Sequence, residues 1–288
     1  MPTSWNTYVA LGDSLTEGMC DTSRMPPGVY HGWADRLAML LAASHPTGTV
    51  RFANLAVRSR RTQQVAVEQL PRAVEWGADL VSILVGGNDL TRPGCEPHRL
   101  AQHVDDIVAH ARNAGADVLL GTMYRPRYLV MTPLTRRIHR FDEDVRDIAA
   151  RRGCTLLDLW GMPELADPRS WAEDRVHLSS RGHRTLAFRA AENLGALTDP
   201  RIRILDTVLH EGADAGPDAT QLSAAQWGML HAAPWLWRRM RGRHAGDGVV
   251  AKDAGGLREV RAARGLSAGE LLPEFADRPR GVGSVVHG

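Results

Sequence analysis

Short apolar runs alternate with amphipathic segments along the first 200 residues of the chain. Runs that are apolar at nearly every position predict strands buried on both faces, as parallel strands are when helices cover both sides of their sheet. Such strands are predicted at residues 8–11, 50–55, 79–85, 118–122 and 155–159. Apolar positions at helical spacing predict helices at residues 32–43, 62–70, 97–113, 134–151 and 181–194, the last capped by Ser179 or Ser180.

Five strands that alternate with helices predict one α/β domain, a three-layer α/β/α sandwich around a five-stranded parallel sheet. The domain is predicted to span residues 1–200, because the composition then shifts to glycine, alanine and charged residues. Residues 201–288 are predicted to form a C-terminal appendage. It comprises a linker at residues 211–220, a Trp/Arg-rich segment at residues 232–244 and a poorly ordered, flexible tail from Ala245 onward.

Composition narrows the functional classes. The 35 Lys and Arg residues nearly balance the 33 Asp and Glu residues, and a net charge of +2 leaves no general electrostatic footprint for nucleic acid. We find no secretion signal pattern and no apolar run of the roughly 20 residues that a membrane helix needs. Three cysteines without metal-ligand spacing argue against a disulfide framework. The sequence therefore predicts a cytoplasmic protein.

Polar residues follow four of the five predicted strands. Ser14 follows the first strand, residues 54–59 the second and residues 86–89 the third, and residues 174–177 come after the fifth. Ligands of open parallel α/β sheets bind outside the carboxyl ends of the strands, so these segments are expected to converge on one site. Cys20 and Cys95 lie on the loops that follow Ser14 and Asn88, and are expected nearby as free thiols.

The residue types at these positions suit nucleophilic catalysis. A serine hydroxyl needs a base to accept its proton, and the base needs a carboxylate to orient it. His177 and Asp174 fit these two roles, since three residues separate them on one loop. Asn88 is a candidate donor to an oxyanion, together with the backbone amides of Ser14 and of the turn at Ser59. If His177 is the base, kcat/KM should rise with pH through a transition at about 6.5.

Three of these segments, "GDSL" at residues 12–15, "GGND" at 86–89 and "DRVHLSSRGH" at 174–183, together resemble the SGNH, or GDSL, hydrolase family over roughly residues 5–195. The resemblance implies a flavodoxin-like five-stranded sheet and a serine hydrolase acting on esters. Ser14 would be the nucleophile, Asp174 and His177 would complete the triad, and Ser14, Ser59 and Asn88 would form the oxyanion hole. The family usually has glycine where this chain has Ser59. If that turn requires a positive φ, serine carries a strain of about 1–2 kcal/mol there.

The sequence thus favours an esterase or lipase-like acyl hydrolase acting on a small-molecule ester through an acyl-Ser14 intermediate, without metal or organic cofactor. Two alternatives stay open. One is an acyltransferase that uses the same triad, and the other is an inactive ligand-binding protein on this fold. Read singly, Ser14 is more often a helix cap, and it is the combination with Asn88, Asp174 and His177 that points to catalysis. The sequence indicates no oligomeric state.

The Trp/Arg-rich segment has two interpretations. The first is a weak membrane-surface contact, made through Trp235, Trp237, Arg238 and Arg239. The second, which we favour, is a tail helix that packs its tryptophans, Trp227 among them, on the domain and exposes its arginines.

Overall fold

The computed structural model describes residues 4–21, 30–125, 132–196, 222–234, 237, 241 and 244–262. Six strands form its sheet: β1 (Thr7–Gly12), β2 (Thr49–Asn54), β3 (Leu80–Leu84), β4 (Asp117–Gly121), β5 (Thr155–Leu157) and β6 (Arg258–Arg261). The strand order is β5-β4-β3-β1-β2-β6. Strands β1 to β5 are all parallel, which confirms the predicted parallel sheet and its flavodoxin-like order.

Helices cover both faces of the sheet, as predicted for strands with apolar residues on both sides. In chain order they are α1 (Ser14–Glu17), α2 (Trp33–Ser44), α3 (Thr62–Gln64), α4 (Leu70–Glu75), α5 (Gly87–Leu90), α6 (Pro97–Asn113), α7 (Thr132–Arg152) and α8 (Ser180–Asn193). A π-helical turn at Val65–Gln69 joins α3 to α4, so the predicted helix at residues 62–70 continues to Glu75. Of the two predicted caps for α8, the structure has Ser179, whose hydroxyl accepts from the Gly182 amide.

The hydrophobic core lies between the sheet and the helices. All six residues of β1 and all five of β3 are buried, which matches their position in the middle of the sheet. The largest fully buried side chains include Trp33, Tyr8, Phe52 and Phe141. Within the described residues, no helix is both long enough and apolar enough to span a bilayer.

The prediction of a poorly ordered chain from Ala245 onward is wrong for residues 245–262. Strand β6 adds to the free edge of β2 in antiparallel orientation, with Val50 opposite Val260, so the sheet has six strands rather than five. Lys252 donates to a carboxylate oxygen of Asp35 at 2.6 Å, and Arg258 donates to the other at 3.0 Å. Asp35 is only 4% exposed, so these two cations neutralise a buried charge.

One more helical segment lies beyond the predicted domain. Helix α9 (Ala224–Trp227) continues into a π-helical turn at Gly228–Ala232, and we call residues 224–232 the tail helix. The predicted linker at residues 211–220 lies outside the described residues, as do Trp235, Arg238 and Arg239. The division into residues 1–200 and 201–288 stays a prediction, although β6 belongs to the same sheet as the first five strands.

Candidate active site

Ser14 lies at the carboxyl end of β1, as predicted. The strand ends at Gly12, and Asp13 caps α1 by accepting from the Leu15 amide, which makes Ser14 the first residue of that helix. Gly12 is required by sterics, because a Cβ at this position would lie 2.4 Å from the Leu84 carbonyl oxygen. The Gln69 side chain binds both the amide and the carbonyl of Gly12. The chain is therefore held firmly just before the serine.

Ser14, His177 and Asp174 form one continuous hydrogen-bonded chain. The hydroxyl oxygen of Ser14 lies 2.9 Å from His177 Nε2, and His177 Nδ1 lies 2.5 Å from Asp174 Oδ2. The other carboxylate oxygen of Asp174 accepts from the backbone amides of Val176 and His177 at 3.0 and 2.9 Å. Each side chain thus has the partner that a nucleophile, a base and an orienting carboxylate require.

The surroundings of the triad raise the pKa of His177 and lower the pKa of Asp174. Burial alone would lower the pKa of His177, but hydrogen bonds with Asp174 and Cys20 outweigh it and raise the pKa to about 10. Burial alone would raise the pKa of Asp174, but the hydrogen bond and positive charge of His177 and two backbone amides lower it to about 2. Asp174 therefore stays ionised, and His177 binds a proton more strongly than an isolated imidazole.

Ser59 occupies a turn with φ of 64°, the left-handed region in which glycine is favoured. The Arg60 amide donates to the Val57 carbonyl at 3.2 Å and closes the turn. Glu17, on the last turn of α1, accepts from the Arg58 amide and side chain, so the turn is attached to the helix that begins with Ser14. Within the described chain, the backbone amides of Ser14 and Ser59 donate to no protein acceptor.

We expect Ser59→Gly to stabilise the protein and to leave kcat unchanged or higher. Glycine removes a strain of about 1–2 kcal/mol from the left-handed position and keeps the backbone amide. Ser59→Ala is the matched control, because it removes the hydroxyl but keeps the strain. Melting temperature and kinetics on one ester should be compared for the three proteins. A several-fold loss of kcat/KM in both variants would instead assign the hydroxyl a contact with the substrate.

Asn88 lies at the start of α5, beyond the carboxyl end of β3. Its side-chain nitrogen donates to Asp13 Oδ2 at 3.0 Å and to the Arg60 carbonyl at 3.1 Å. The amide thereby connects the loop after β1 to the turn at Ser59. Both amide hydrogens have protein acceptors in this arrangement, so donation to an oxyanion would require one of them to be shared. Gly86 precedes the helix with φ of 124° and leaves no room for a Cβ beside Phe141.

Three further groups contact this site. Asp13 is 5% exposed, and burial, opposed by hydrogen bonds with Leu15 and Asn88, raises its pKa to about 7. The Cys20 thiol donates to Asp174 Oδ2, with a sulfur–oxygen distance of 3.9 Å. This contact confirms the expectation that the loop with Cys20 lies near the site. Trp227 donates its indole N–H to the Asp174 carbonyl oxygen at 2.8 Å. Asp13 is part of the "GDSL" motif and could have been singled out there, whereas no local pattern places Trp227 beside Asp174.

Three potential metal ligands lie close together at this site. Within the described residues, Cys20, Asp174 and His177 are the one group of three whose ligand atoms lie within 4.8 Å of one another. A thiol, a carboxylate and an imidazole are ligands that Zn²⁺ accepts in proteins. Cys95 is partly buried against the core, and Cys154 is also a free thiol.

Two proteins with sequences similar to this chain are an esterase and a lipase. The chain is 24% identical to an acetylxylan esterase of Geobacillus stearothermophilus over 204 residues, which are 64% of this chain and 92% of the esterase. It is 43% identical to a lipase of Streptomyces rimosus over 83 residues, 28% of this chain and 30% of the lipase.

Solved structures share the fold. A catalytic mutant of the acetylxylan esterase Axe2 from Geobacillus stearothermophilus superposes with a TM-score of 0.57 at 20% identity, over 68% of this chain and 97% of Axe2. TesA superposes with a TM-score of 0.55 at 24% identity, over 66% of this chain and 99% of TesA.

The family of this chain follows from a match between its sequence and a family model. Residues 10–185 match the model of the GDSL-like Lipase/Acylhydrolase family. This range contains Ser14, Ser59, Asn88, Asp174 and His177. The chain therefore belongs to the GDSL-like lipase/acylhydrolase family and is a carboxylic ester hydrolase.

Proposed function

We propose that this enzyme hydrolyses small carboxylic esters through an acyl intermediate on Ser14. The observation that carries the proposal is the continuous hydrogen-bonded chain from the Ser14 hydroxyl through His177 to Asp174. A nucleophile, a base and an orienting carboxylate in this order are the parts that acyl transfer by serine needs. Ser14 lies at the end of β1, outside the strand, and is half-buried rather than enclosed in the core.

In the first half of the reaction, the Ser14 oxygen attacks the ester carbonyl while His177 Nε2 takes the hydroxyl proton. The carbonyl oxygen becomes an oxyanion, and the backbone amides of Ser14 and Ser59, with the Asn88 side chain, are the donors that stabilise it. Collapse of this intermediate breaks the bond to the alcohol, and the imidazolium gives its proton to the leaving oxygen. The acyl group is now bound to Ser14.

In the second half, His177 takes a proton from water, and the resulting hydroxide attacks the acyl carbonyl. The tetrahedral intermediate collapses, Ser14 leaves with the proton from His177, and the acid is released. Asp174 remains ionised throughout, since its low pKa keeps it a carboxylate, and it stabilises the imidazolium in both halves.

We expect kcat/KM to rise with pH through a transition above the ordinary histidine value of about 6.5. The base is active only when unprotonated, and its raised pKa, to about 10, moves the loss of the proton to more alkaline pH. The measurement is kcat/KM on a non-ionising ester across the stable pH range. A midpoint at or below 6.5 would contradict the assignment. Because Asp13 titrates near 7, Asp13→Asn is the control, and the upper transition should persist in it.

The proposed mechanism is tested by covalent trapping and by product analysis. A serine-directed organophosphate should add one adduct, which peptide mass spectrometry should place on Ser14. A series of chromogenic esters from acetyl upward, together with an acetylated xylooligosaccharide, should identify the preferred acyl and alcohol groups. Release of free acid supports hydrolysis, whereas transfer of the acyl group to an added alcohol in preference to water would indicate an acyltransferase. Labelling of another residue would overturn the assignment of Ser14.

A further inference from the structure

Three consecutive residues of the loop that carries Asp174 and His177 contact the tail helix or the segment just before it. The indole N–H of Trp227 donates to the Asp174 carbonyl at 2.8 Å. The Arg175 guanidinium donates to the Leu222 carbonyl, just before the tail helix. The His231 imidazole lies 3.4 Å from the Glu173 carboxylate. These contacts join residues 173–175 to a segment well outside residues 10–185, the range that matches the family model.

The contacted loop has little regular structure to hold its tip. An isolated bridge between Trp171 and Leu178 closes its base, and the Ala172 amide donates to the His177 carbonyl at 2.8 Å. At the tip, Arg175 has φ of 60°, a left-handed conformation that disfavours residues other than glycine. Surrounding contacts must maintain such a conformation. Residues 222–232 supply contacts on both sides of this peptide, since Trp227 donates to the Asp174 carbonyl and the Leu222 carbonyl accepts from the Arg175 side chain.

The position of the Asp174 backbone controls the catalytic contact. The Asp174 carboxylate accepts from His177 Nδ1 and from the Val176 and His177 amides of the same loop. A shift of the Asp174 carbonyl therefore also moves the carboxylate against the imidazole. Since catalytic contacts are sensitive to displacements of about 1 Å, a hydrogen bond that anchors this carbonyl affects the reaction without touching the substrate.

We propose that Trp227 is a positioning residue for the acyl transfer reaction, and that it acts by anchoring the Asp174 carbonyl through its indole N–H. Through this hydrogen bond, the tail helix helps to hold Asp174 in its position in the active site. This inference rests on the proposed function, because it assigns Asp174 and His177 their roles in the triad.

Trp227→Phe tests the inference, because phenylalanine keeps an aromatic ring and removes the N–H donor. We expect kcat to fall about 2- to 10-fold, the effect of one hydrogen bond, with KM unchanged. The midpoint of the kcat/KM profile should also move to lower pH, because a weaker Asp174 contact raises the pKa of His177 less. Trp237→Phe is the matched control. Trp237 lies beyond the tail helix, is 53% exposed and has its ring against Arg241, so its replacement should leave kinetics unchanged.

A Trp227→Phe protein with wild-type kcat and pH midpoint, measured at temperatures where the variant is folded, would overturn the inference. If the melting temperature of that protein is also lower, Trp227 has a structural role alone.

A measurement without turnover separates this inference from the proposed function. The proton between His177 Nδ1 and Asp174 should give a low-field proton NMR signal. The signal should exchange faster in Trp227→Phe than in wild type or Trp237→Phe, even if no ester is hydrolysed. Equal exchange in all three proteins would reject the anchoring role. Absence of both turnover and organophosphate labelling in wild type would reject the proposed function instead.

Discussion

Ser14→Ala is expected to abolish ester turnover, with kcat lowered by a factor of about 10⁶ as for other serine nucleophiles. The substitution removes the atom that becomes acylated, and among the described residues Ser14 is the one hydroxyl that is hydrogen-bonded to His177. The fold should persist, because Asp13 rather than Ser14 caps α1 and the Ser14 side chain is not part of the core. Steady-state kinetics on the preferred ester, with a melting curve for each protein, make the measurement.

Thr16→Val is the matched control for this prediction. It removes a second hydroxyl from α1, one that is buried and has no hydrogen-bond partner within the described residues. Its activity should therefore stay close to that of wild type. If Ser14→Ala retains the wild-type rate, Ser14 is not the nucleophile and the triad must be reassigned.

Asp174→Asn is expected to lower kcat by a factor of about 10⁴ while leaving the protein folded, as for a triad whose carboxylate becomes an amide. In wild type, Oδ1 of Asp174 accepts from two backbone amides and Oδ2 faces His177 Nδ1. The oxygen of the variant's side-chain amide should keep the two backbone contacts, so its NH₂ group would face Nδ1. That group can only donate, which places the imidazole proton on Nε2, toward Ser14. The base then cannot accept the serine proton.

The control for this substitution is another Asp–His pair. His98 Nδ1 lies 3.2 Å from Asp144 Oδ2 at an exposed position. Asp144→Asn should leave kcat unchanged, since this pair does not contact Ser14. Kinetics and His177 NMR signals should be compared for both variants. Wild-type kcat in Asp174→Asn would show that the Asp174–His177 contact has no part in the reaction.

The parallel sheet was predictable because its signal is local. Strands β1 and β3 are buried on both faces, and such strands must be apolar at successive positions, which is visible in residues 8–11 and 79–85. The helix at Pro97–Asn113 has the predicted bounds, because Pro97 marks its first turn and the apolar positions repeat at helical spacing. Burial of a whole strand, or of one face of a helix, leaves a pattern of apolar positions that can be recognised from consecutive residues alone.

Strand β6 was not predictable in the same way. It is four residues long, Arg258–Arg261, and only Val260 is buried. Its position depends on pairing with β2, some two hundred residues earlier, and on the contacts of Lys252 and Arg258 with Asp35. A short, charged edge strand has no hydrophobic pattern of its own, so the sequence around it is typical of a flexible tail.

The sequence by itself determined the fold class and the family and predicted the five residues of the candidate site, because each motif follows a strand and parallel strands bring their carboxyl ends to one edge. Only the tertiary structure decided the left-handed turn at Ser59, the engagement of Asn88 by Asp13 and Arg60, and the contact of Trp227 with Asp174. These features depend on atoms from distant parts of the chain, and their distances follow from packing and not from spacing along the sequence. A motif specifies which side chains are present, whereas packing sets their orientation and their proton affinity.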